Sequence, residues 1–209
     1  MSLATFYARH LGPRLVGCLC AAPDIAAQRE AVVPHARGVV LEIGIGPGLN
    51  LPYYDPDLVE RVIGVDPHAG FLALGEAARR NAVMPVEILQ APAEQLPLAE
   101  ASIDTAVITY TLCSVDDPAR CLAEVRRVLR PDGCLLFLEH GLSAEPAVAR
   151  WQHRIEPLWR PLAVGCHLTR PTVRLLQEAG FAVAEVVEAY LPRVPRALGF
   201  QCRGLAYPA

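Results

Sequence analysis

Residues 41–50 read Leu-Glu-Ile-Gly-Ile-Gly-Pro-Gly-Leu-Asn and directly follow the run Gly38-Val39-Val40. Glycines at positions 44, 46 and 48 alternate with other residues. A strand that ends in alternating glycines lets the backbone turn sharply and approach a ligand closely. A dinucleotide-binding loop would read Gly-x-Gly-x-x-Gly and would need its third glycine at position 49, which is Leu. The stretch therefore predicts a ligand-binding loop of a different type.

The composition is typical of one folded domain. The chain has 209 residues, of which 53% are hydrophobic, so we expect a sizeable core and little disorder. The formal net charge of −3 argues against nucleic-acid binding, which normally needs a basic face. The cysteine count is odd and no Cys-x-x-Cys spacing occurs. This pattern indicates reduced thiols and a cytoplasmic location rather than a disulfide framework or a zinc site.

Apolar strand-like runs alternate with helical patterns along the chain. We expect strands at 38–43, 61–66, 85–90, 103–109 and 133–139. We expect helices at about 24–33, 48–54, 68–81, 117–130, 146–160 and 170–179. This alternation predicts an α/β fold with a doubly wound, mostly parallel sheet and helices on both faces. Two further runs, 181–188 and 198–207, complete a seven-stranded sheet as a hairpin with an antiparallel C-terminal strand.

The whole chain, 1–209, is expected to form a single domain. Residues 1–36 would be lid or cap helices, and residues 141–169 a substrate-side insertion. The apolar run at 11–22 is too short and too interrupted to span a membrane, and no signal-peptide cleavage pattern is present. Arg9 and Arg14 beside apolar neighbours would allow a helix that lies on a membrane surface. A lid packed on the domain is favoured, so membrane contact is allowed but not expected.

The Gly-x-Gly-x-Gly form led by Glu42 resembles motif I of the class I S-adenosylmethionine (SAM) methyltransferases. The resemblance implies that Gly44, Gly46 and Gly48 approach SAM, with S-adenosylhomocysteine as the product. SAM has no pyrophosphate and needs no helix N-terminus pointed at an anion. Glu42 would be costly to bury unpaired within a strand. The methionine ammonium of SAM, directly or through water, would be a positive partner.

A second strand pattern, 61–66, ends in an acid, Asp66. It follows Gly48 by 18 residues, near the spacing expected for a ribose-binding carboxylate. An Asp before Pro67 also suits the N-cap of a following helix, and both roles can hold at once. With the glycine loop upstream, we favour a ligand role and place Asp66 and Pro67 in the cofactor site.

The segment 90–98, Gln-Ala-Pro-Ala-Glu-Gln-Leu-Pro-Leu, resembles the methyltransferase segment Gly-Asp-Ala-Glu-x-Leu-Pro-Phe. In that family the Asp accepts from the adenine amino group and the next backbone N–H reaches the ring. The matching positions here are Pro92, which has no such side chain, and Ala93. The resemblance therefore carries over to Ala93 only. Gln90 or Glu94 substitutes for the Asp, or adenine is held by shape.

The fourth strand runs into Thr109-Tyr110-Thr111-Leu112-Cys113-Ser114. Ligands of open α/β sheets lie beyond the carboxyl ends of the strands. Residues Thr109, Tyr110 and Ser114 should therefore line the methionine and methyl end of the cofactor. Simple packing explains Tyr110 and Leu112 equally well.

Motifs in the second half of the chain indicate which group of SAM methyltransferases the sequence resembles most. Leu112-Cys113-Ser114-Val115, Glu139-His140 and Gly165-Cys166-x-Leu168-Thr169-Arg170 resemble the microsomal alkyl-thiol S-methyltransferases and their soluble bacterial relatives. The implied reaction is transfer of a methyl group to a small, apolar thiol by in-line displacement. The microsomal proteins carry an N-terminal membrane anchor, which we expect this chain to lack. Bacterial phosphatidylethanolamine N-methyltransferases share much of the pattern, so an amine acceptor is the alternative.

Two histidines are the candidate catalytic residues. His140 follows the end of strand five, where an acceptor should lie, and is the first choice for a general base. A hydrogen-bonded structural histidine competes with that interpretation. His167 occupies a variable position of its motif, so it is a second candidate by proximity alone. Arg170 suits either a substrate anion or a structural pair with Glu139 or Glu156.

Other functional classes are disfavoured by the same residues. No carboxylate cluster is placed for Mg²⁺, and neither a thiol nor an amine acceptor requires a metal, so we expect no metal cofactor. Leu49 disfavours a nicotinamide oxidoreductase. A non-catalytic SAM-binding protein is the remaining alternative, and the intact glycine motif with Asp66 counts against it. We expect a small-molecule acceptor, while the oligomeric state does not follow from the sequence.

Overall fold

The computed structural model describes residues 6–209, so the part of the predicted lid at residues 1–5 lies outside the described residues. Within this range the chain forms one sheet of seven strands. The strands are β1 (Gly38–Ile43), β2 (Val59–Val65), β3 (Val86–Leu89), β4 (Ile103–Thr109), β5 (Leu129–His140), β6 (Phe181–Tyr190) and β7 (Phe200–Pro208).

The described α-helices surround the sheet and include a long one in the region expected to be an insertion. A π-helical turn, Tyr7–Leu11, leads directly into the first α-helix. The α-helices are α1 (Gly12–Cys20), α2 (Pro23–Glu30), α3 (Ala69–Leu74), α4 (Glu76–Arg80), α5 (Pro118–Val128), α6 (Pro146–Leu162), α7 (Thr172–Glu178) and α8 (Arg196–Gly199).

The strand order is β3-β2-β1-β4-β5-β7-β6. The first five strands in chain order pair in parallel, whereas β7 pairs antiparallel with both β5 and β6. The predicted fold class and the antiparallel C-terminal strand are therefore confirmed. The order reverses between β1 and β4, which is the position where doubly wound sheets open a ligand crevice.

The core lies on both faces of the sheet because both faces of β1 are covered. Val39, Leu41 and Ile43 pack into one buried cluster, and Val40 packs into the other. Successive side chains of a strand point to opposite faces, so an almost wholly apolar strand is the pattern of a sheet covered on both sides.

Helix α5 shows how the sequence determines where a helix starts and which of its faces is buried. Asp117 accepts a hydrogen bond from the Arg120 backbone N–H (3.1 Å), and Pro118 occupies the first turn. Leu122, Val125 and Val128 are buried on one face, at the spacing of an amphipathic helix. The helix therefore starts and orients as its sequence predicts.

The differences from the predicted elements are local. The expected helix at 48–54 is a single 3₁₀ turn, Leu51–Tyr53. The expected helix at 68–81 divides into α3 and α4 at Gly75. Strand β5 begins at Leu129, because the chain leaves α5 directly into extended backbone instead of turning first at residues 131–133.

Candidate functional site

A cavity of about 310 Å³ lies beyond the carboxyl ends of β1, β2 and β4. Helix α1 and the turn at residues 163–164 also contribute to its wall. Of the residues predicted to bind the cofactor, all but Gly48 line this wall: Glu42, Gly44, Gly46, Asp66, Pro67, Ala93, Glu94, Thr109, Tyr110 and Ser114. The predicted residues are thus brought together at the switch point of the sheet.

All three glycines of the loop have a positive φ, and they differ in how much space a side chain would find. Gly44 has a φ of +70°, and a Cβ there would overlap the Thr111 side chain. Gly48 has a φ of +76°, and a Cβ there would meet Ala78 at 3.1 Å, so Gly48 packs behind the loop instead of lining the cavity. A Cβ at Gly46 would have its closest atom, Asp66 Oδ2, at 3.6 Å. The space beside Gly46 is therefore open for a ligand.

Asp66 is tied to this loop through its backbone. The Gly46 N–H donates to Asp66 Oδ2 (3.1 Å), and the His68 N–H donates to Oδ1 (2.8 Å). Helix α3 has His68 at its N-cap, so Asp66 forms a turn ahead of the helix and does not cap it. Burial raises the pKa of the carboxyl, and the hydrogen bond from His68 opposes the rise. A carboxylate oxygen accepts more than one hydrogen bond, so capacity remains for ribose hydroxyls.

Glu42 is fully buried and has polar partners within the protein. Asn50 Nδ2 donates to Glu42 Oε1 (2.9 Å), and the Tyr54 hydroxyl donates to Oε2 (2.8 Å). Burial raises the pKa of Glu42 to about 7, while the Tyr54 hydrogen bond and the charge of Arg29 oppose the rise. Arg29 is therefore a nearby positive charge that acts on Glu42 without forming an ion pair with it, and the position of a bound ammonium partner stays a prediction.

Arg29 on α2 is the main site residue that the sequence analysis missed. It is 5% exposed and lines the cavity. Its Nη1 donates to Asn50 Oδ1 (2.6 Å) and to Thr109 Oγ1 (2.7 Å). The helix reads Pro-Asp-Ile-Ala-Ala-Gln-Arg-Glu, which resembles an ordinary solvated helix, so the only usable signal was the need of Glu42 for a positive neighbour.

The wall near the predicted adenine end is formed by Pro67, Pro92, Ala93 and Glu94. Glu94 Oε1 accepts from the Asp117 backbone N–H (3.1 Å), which leaves Oε2 for a ligand. Gln90 donates instead to the Pro67 carbonyl (3.3 Å) and does not line the cavity. Of the two substitutes considered for the missing Asp, Glu94 is the one on the wall.

The loop after β4 is held by two charged side chains from outside the cavity. Glu139 accepts hydrogen bonds from the backbone N–H groups of Thr111 (2.7 Å), Leu112 (2.8 Å) and Cys113 (3.1 Å). Arg170 donates to the carbonyls of Leu112 and Val115. Arg170 therefore has a structural role in this loop, and the pair fixes the backbone that carries Ser114 to the cavity.

His140 is buried behind the cavity wall. Its ring packs against Tyr110, with 5.0 Å between the ring centroids, and Tyr110 lines the cavity whereas His140 does not. Burial lowers the pKa of His140 to about 4, so the ring is uncharged at neutral pH. Its Nδ1 has no hydrogen-bond partner among the described residues. The assignment of His140 as general base stays a prediction.

His167 is also outside the cavity wall. Its Nδ1 lies 2.8 Å from Glu156 Oε1, and the Leu168 backbone N–H donates to Glu156 Oε2 (3.2 Å). Glu156 thus positions both the ring and the backbone of this turn. The catalytic assignment of His167 likewise stays a prediction.

Two kinds of feature are absent from the described part of the chain, a metal-binding cluster and a membrane-spanning helix. Residues 6–209 contain no group of three or more His, Cys, Asp or Glu side chains that could hold a metal ion. In the same range, no helix has both the length and the apolar character needed to cross a bilayer.

Comparison with known proteins agrees with the geometry of the site. A family model described as a methyltransferase domain matches residues 41–137. The thiol S-methyltransferase TMT1B of human is 36% identical over 169 residues, which cover 77% of this chain and 68% of the human protein. The rat TMT1B is also 36% identical, over 70% of this chain and 61% of its own length. The chain thus spans about two thirds of these relatives.

Two further relatives widen the comparison. The phosphatidylethanolamine N-methyltransferase of Cereibacter sphaeroides is 30% identical over 138 residues, which cover 61% of this chain and 67% of that protein. The crystal structure of a SAM-dependent methyltransferase of Thermotoga maritima superposes with a TM-score of 0.67 over 100% of both chains, at 21% identity. The structural likeness supports the fold, and the sequence relatives share methyl transfer.

Proposed function

The chain belongs to the SAM-dependent methyltransferases, and from this premise we propose that it transfers the methyl group of SAM to the sulfur of a small, apolar thiol. The observation that carries the thiol assignment is the 36% identity with thiol S-methyltransferase TMT1B over 77% of the chain.

The residues of the cavity fit SAM. The open space beside Gly46 accommodates a ligand at the loop backbone, and the Asp66 carboxylate is held beside it with free hydrogen-bonding capacity. Glu42 lines the same wall and offers a carboxylate for an ammonium group. When bound, SAM would supply an activated methyl group that a nucleophile takes in line.

An apolar section of the wall suits an apolar acceptor. Val16, Gly17 and Cys20 of α1 line the cavity together with Ala163 and Val164. An alkyl thiol presents one polar atom and an apolar body, so it buries its chain here at little desolvation cost.

A thiol also matches the absence of a strong base among the described wall residues near this section. A free thiol has a pKa of about 8.5, so a few per cent is already thiolate at neutral pH. Such a substrate needs little help to lose its proton. A neutral His140 with a pKa of about 4 would be a weak proton acceptor, and its role depends on reaching the acceptor past Tyr110.

An amine is the second acceptor class, since the phosphatidylethanolamine N-methyltransferase relative is 30% identical to the chain. An acceptor screen scored by release of S-adenosylhomocysteine separates the classes. We expect turnover with alkyl thiols to exceed turnover with amines and phenols. Faster turnover with ethanolamine phospholipid vesicles would contradict the thiol assignment and support the amine.

The same screen tests His140. In His140→Phe, an aromatic ring still packs against Tyr110 but cannot accept a proton. Loss of turnover with unchanged SAM affinity would support His140 as general base. Unchanged turnover would remove it from the chemistry and leave thiol ionisation to the substrate's own equilibrium.

A further inference from the structure

The Arg29 guanidinium is a buried cation that donates hydrogen bonds through Nη1 and none through Nε or Nη2 to the described residues. Its Nη1 is held by Asn50 and Thr109. Its Nε is buried and has no acceptor among residues 6–209. Within the same range it forms no ion pair with Asp or Glu. A buried cationic donor without an acceptor is costly, so a ligand that brings an acceptor, and above all an anion, to this part of Arg29 would be stabilised.

The charges of the cavity wall indicate where a negative group can bind. Glu42, Asp66, Glu94 and Asp116 all line the cavity and disfavour an anion. Arg29 lines the same cavity, so its surroundings are the favourable place for negative charge. Its guanidinium lies over the Tyr110 ring, 5.4 Å from the centroid, which further fixes its orientation.

A carboxylate is the anion whose shape best matches these two donors of Arg29. The Nε and Nη2 donors of a guanidinium are parallel and form two hydrogen bonds with the two oxygens of one carboxylate. Within the described part of the chain Arg29 Nη2 donates no hydrogen bond, and Nη1 already donates to Asn50 and Thr109.

We propose that Arg29 is the carboxylate-binding residue of the cofactor site and that it binds the α-carboxylate of the methionine part of SAM. The proposal rests on the proposed function, because it assumes that SAM occupies this cavity. It gives the amino-acid end of SAM two charged neighbours, with Glu42 for the ammonium and Arg29 for the carboxylate. Since Arg29 belongs to α2, cofactor binding would also tie this helix to the glycine loop.

The test compares two ligands that differ only in the carboxylate. Decarboxylated SAM keeps the sulfonium, the ammonium and the nucleoside. Calorimetric titration of the wild-type protein should give tighter binding of SAM than of decarboxylated SAM by about 10- to 100-fold, the value of hydrogen bonds between charged groups. Equal affinities in the wild-type protein would overturn the proposal without any variant.

Variants of Arg29 assign the effect to this side chain. In Arg29→Met, SAM affinity should fall by about 10- to 100-fold while the affinity for decarboxylated SAM changes less than about threefold. The SAM affinity of Arg29→Lys should lie between those of the wild-type protein and Arg29→Met, because lysine keeps the positive charge but lacks the paired donors. A matched control is Arg203→Met, because Arg203 contacts the adjacent Gln28 of α2 (2.8 Å) and is outside the cavity wall.

The outcomes separate this inference from the proposed function. If SAM does not bind the wild-type protein at all, the proposed function fails together with the inference. If SAM binds and Arg29→Met weakens both ligands equally, Arg29 is only a structural counter-charge for Glu42 and the inference alone fails. If Arg29→Met does not fold by circular dichroism, the wild-type comparison and Arg29→Lys decide.

Discussion

At the scale of single residues, the site is a set of buried carboxylates whose partners are mostly backbone or amide groups. Asp66 is bound by two backbone N–H groups, and Glu42 by Asn50 and Tyr54. The need for such partners follows from the sequence, because a charged side chain in an apolar strand is costly when unpaired. Their identity does not follow, since Asn50 and Tyr54 contact Glu42 only through the tertiary fold.

Replacing Asp66 tests the ribose-binding role. Asp66→Ala should weaken SAM binding by about 10- to 100-fold, because a charged acceptor is removed from the wall. Asp66→Asn keeps the size of the side chain and should give a smaller loss. The exposed Asp57 provides the control, and Asp57→Ala should leave the calorimetric affinity unchanged. Unaltered affinity in Asp66→Ala would remove this carboxylate from the site.

Because the pKa of Glu42 is raised, we expect the affinity for SAM to depend on pH. Its free-protein pKa is raised to about 7, and a bound ammonium would lower it, because an opposite charge favours the carboxylate. Binding therefore releases a proton below that pKa, and SAM affinity should rise as the pH increases from 5.5 to 7.5 and then level off. Glu42→Gln should flatten this profile, and it controls for titration of the ligand itself. An identical profile in both proteins would exclude Glu42 as the linked group.

At the scale of elements, strands were predictable and short helices were not. Strands 38–43 and 103–109 have the predicted bounds, because a continuous apolar run in an alternating α/β pattern leaves few alternatives. The predicted helix at 48–54 is a 3₁₀ turn, since Asn50 turns inward to Glu42 instead of lying on a helix surface. The loop after β4 was expected at the site, but its support by Glu139 depends on pairing between separate strands.

We expect the hydrogen bonds accepted by Glu139 to stabilise the loop after β4. Glu139→Gln replaces one carboxylate oxygen by an amide NH₂ group, which must then face a backbone N–H that also donates. The free energy of unfolding should fall by about 1 to 3 kcal/mol, as expected for a buried donor left without an acceptor. Urea denaturation measures the change, and Glu185→Gln on the exposed surface of β6 is the control. Equal stability of the two variants would contradict this role.

At the scale of the whole molecule, the fold positions the site by topology. The carboxyl ends of β1, β2 and β4 meet where the strand order reverses, so residues far apart in sequence converge on one cavity. Motif spacing therefore predicts most of the wall near the strands. The contributions of α1 and α2 are not predictable in this way, because helix packing over the cavity leaves no local motif.

Because His140 is buried and uncharged, we expect the free energy of unfolding of the protein to fall at acid pH. Its pKa is about 4 in the folded state and 6.5 when unperturbed, so the unfolded chain takes up the proton first as the pH falls. The stability contributed by the neutral ring is complete above pH 6.5 and is lost as the pH falls towards 4. Between pH 7 and pH 4.5 the wild-type protein should lose roughly 2 to 3 kcal/mol more than His140→Phe, measured by urea denaturation. Parallel losses in the two proteins would show that His140 does not control this sensitivity.

The most direct test of the account is a crystal structure of the protein with S-adenosylhomocysteine. We expect electron density for one S-adenosylhomocysteine molecule in the cavity. Its ribose hydroxyls should contact the Asp66 carboxylate, and the ligand should fill the open space beside Gly46. A cavity that stays empty at saturating ligand, or a ligand that binds elsewhere on the molecule, would contradict the assignment of the site.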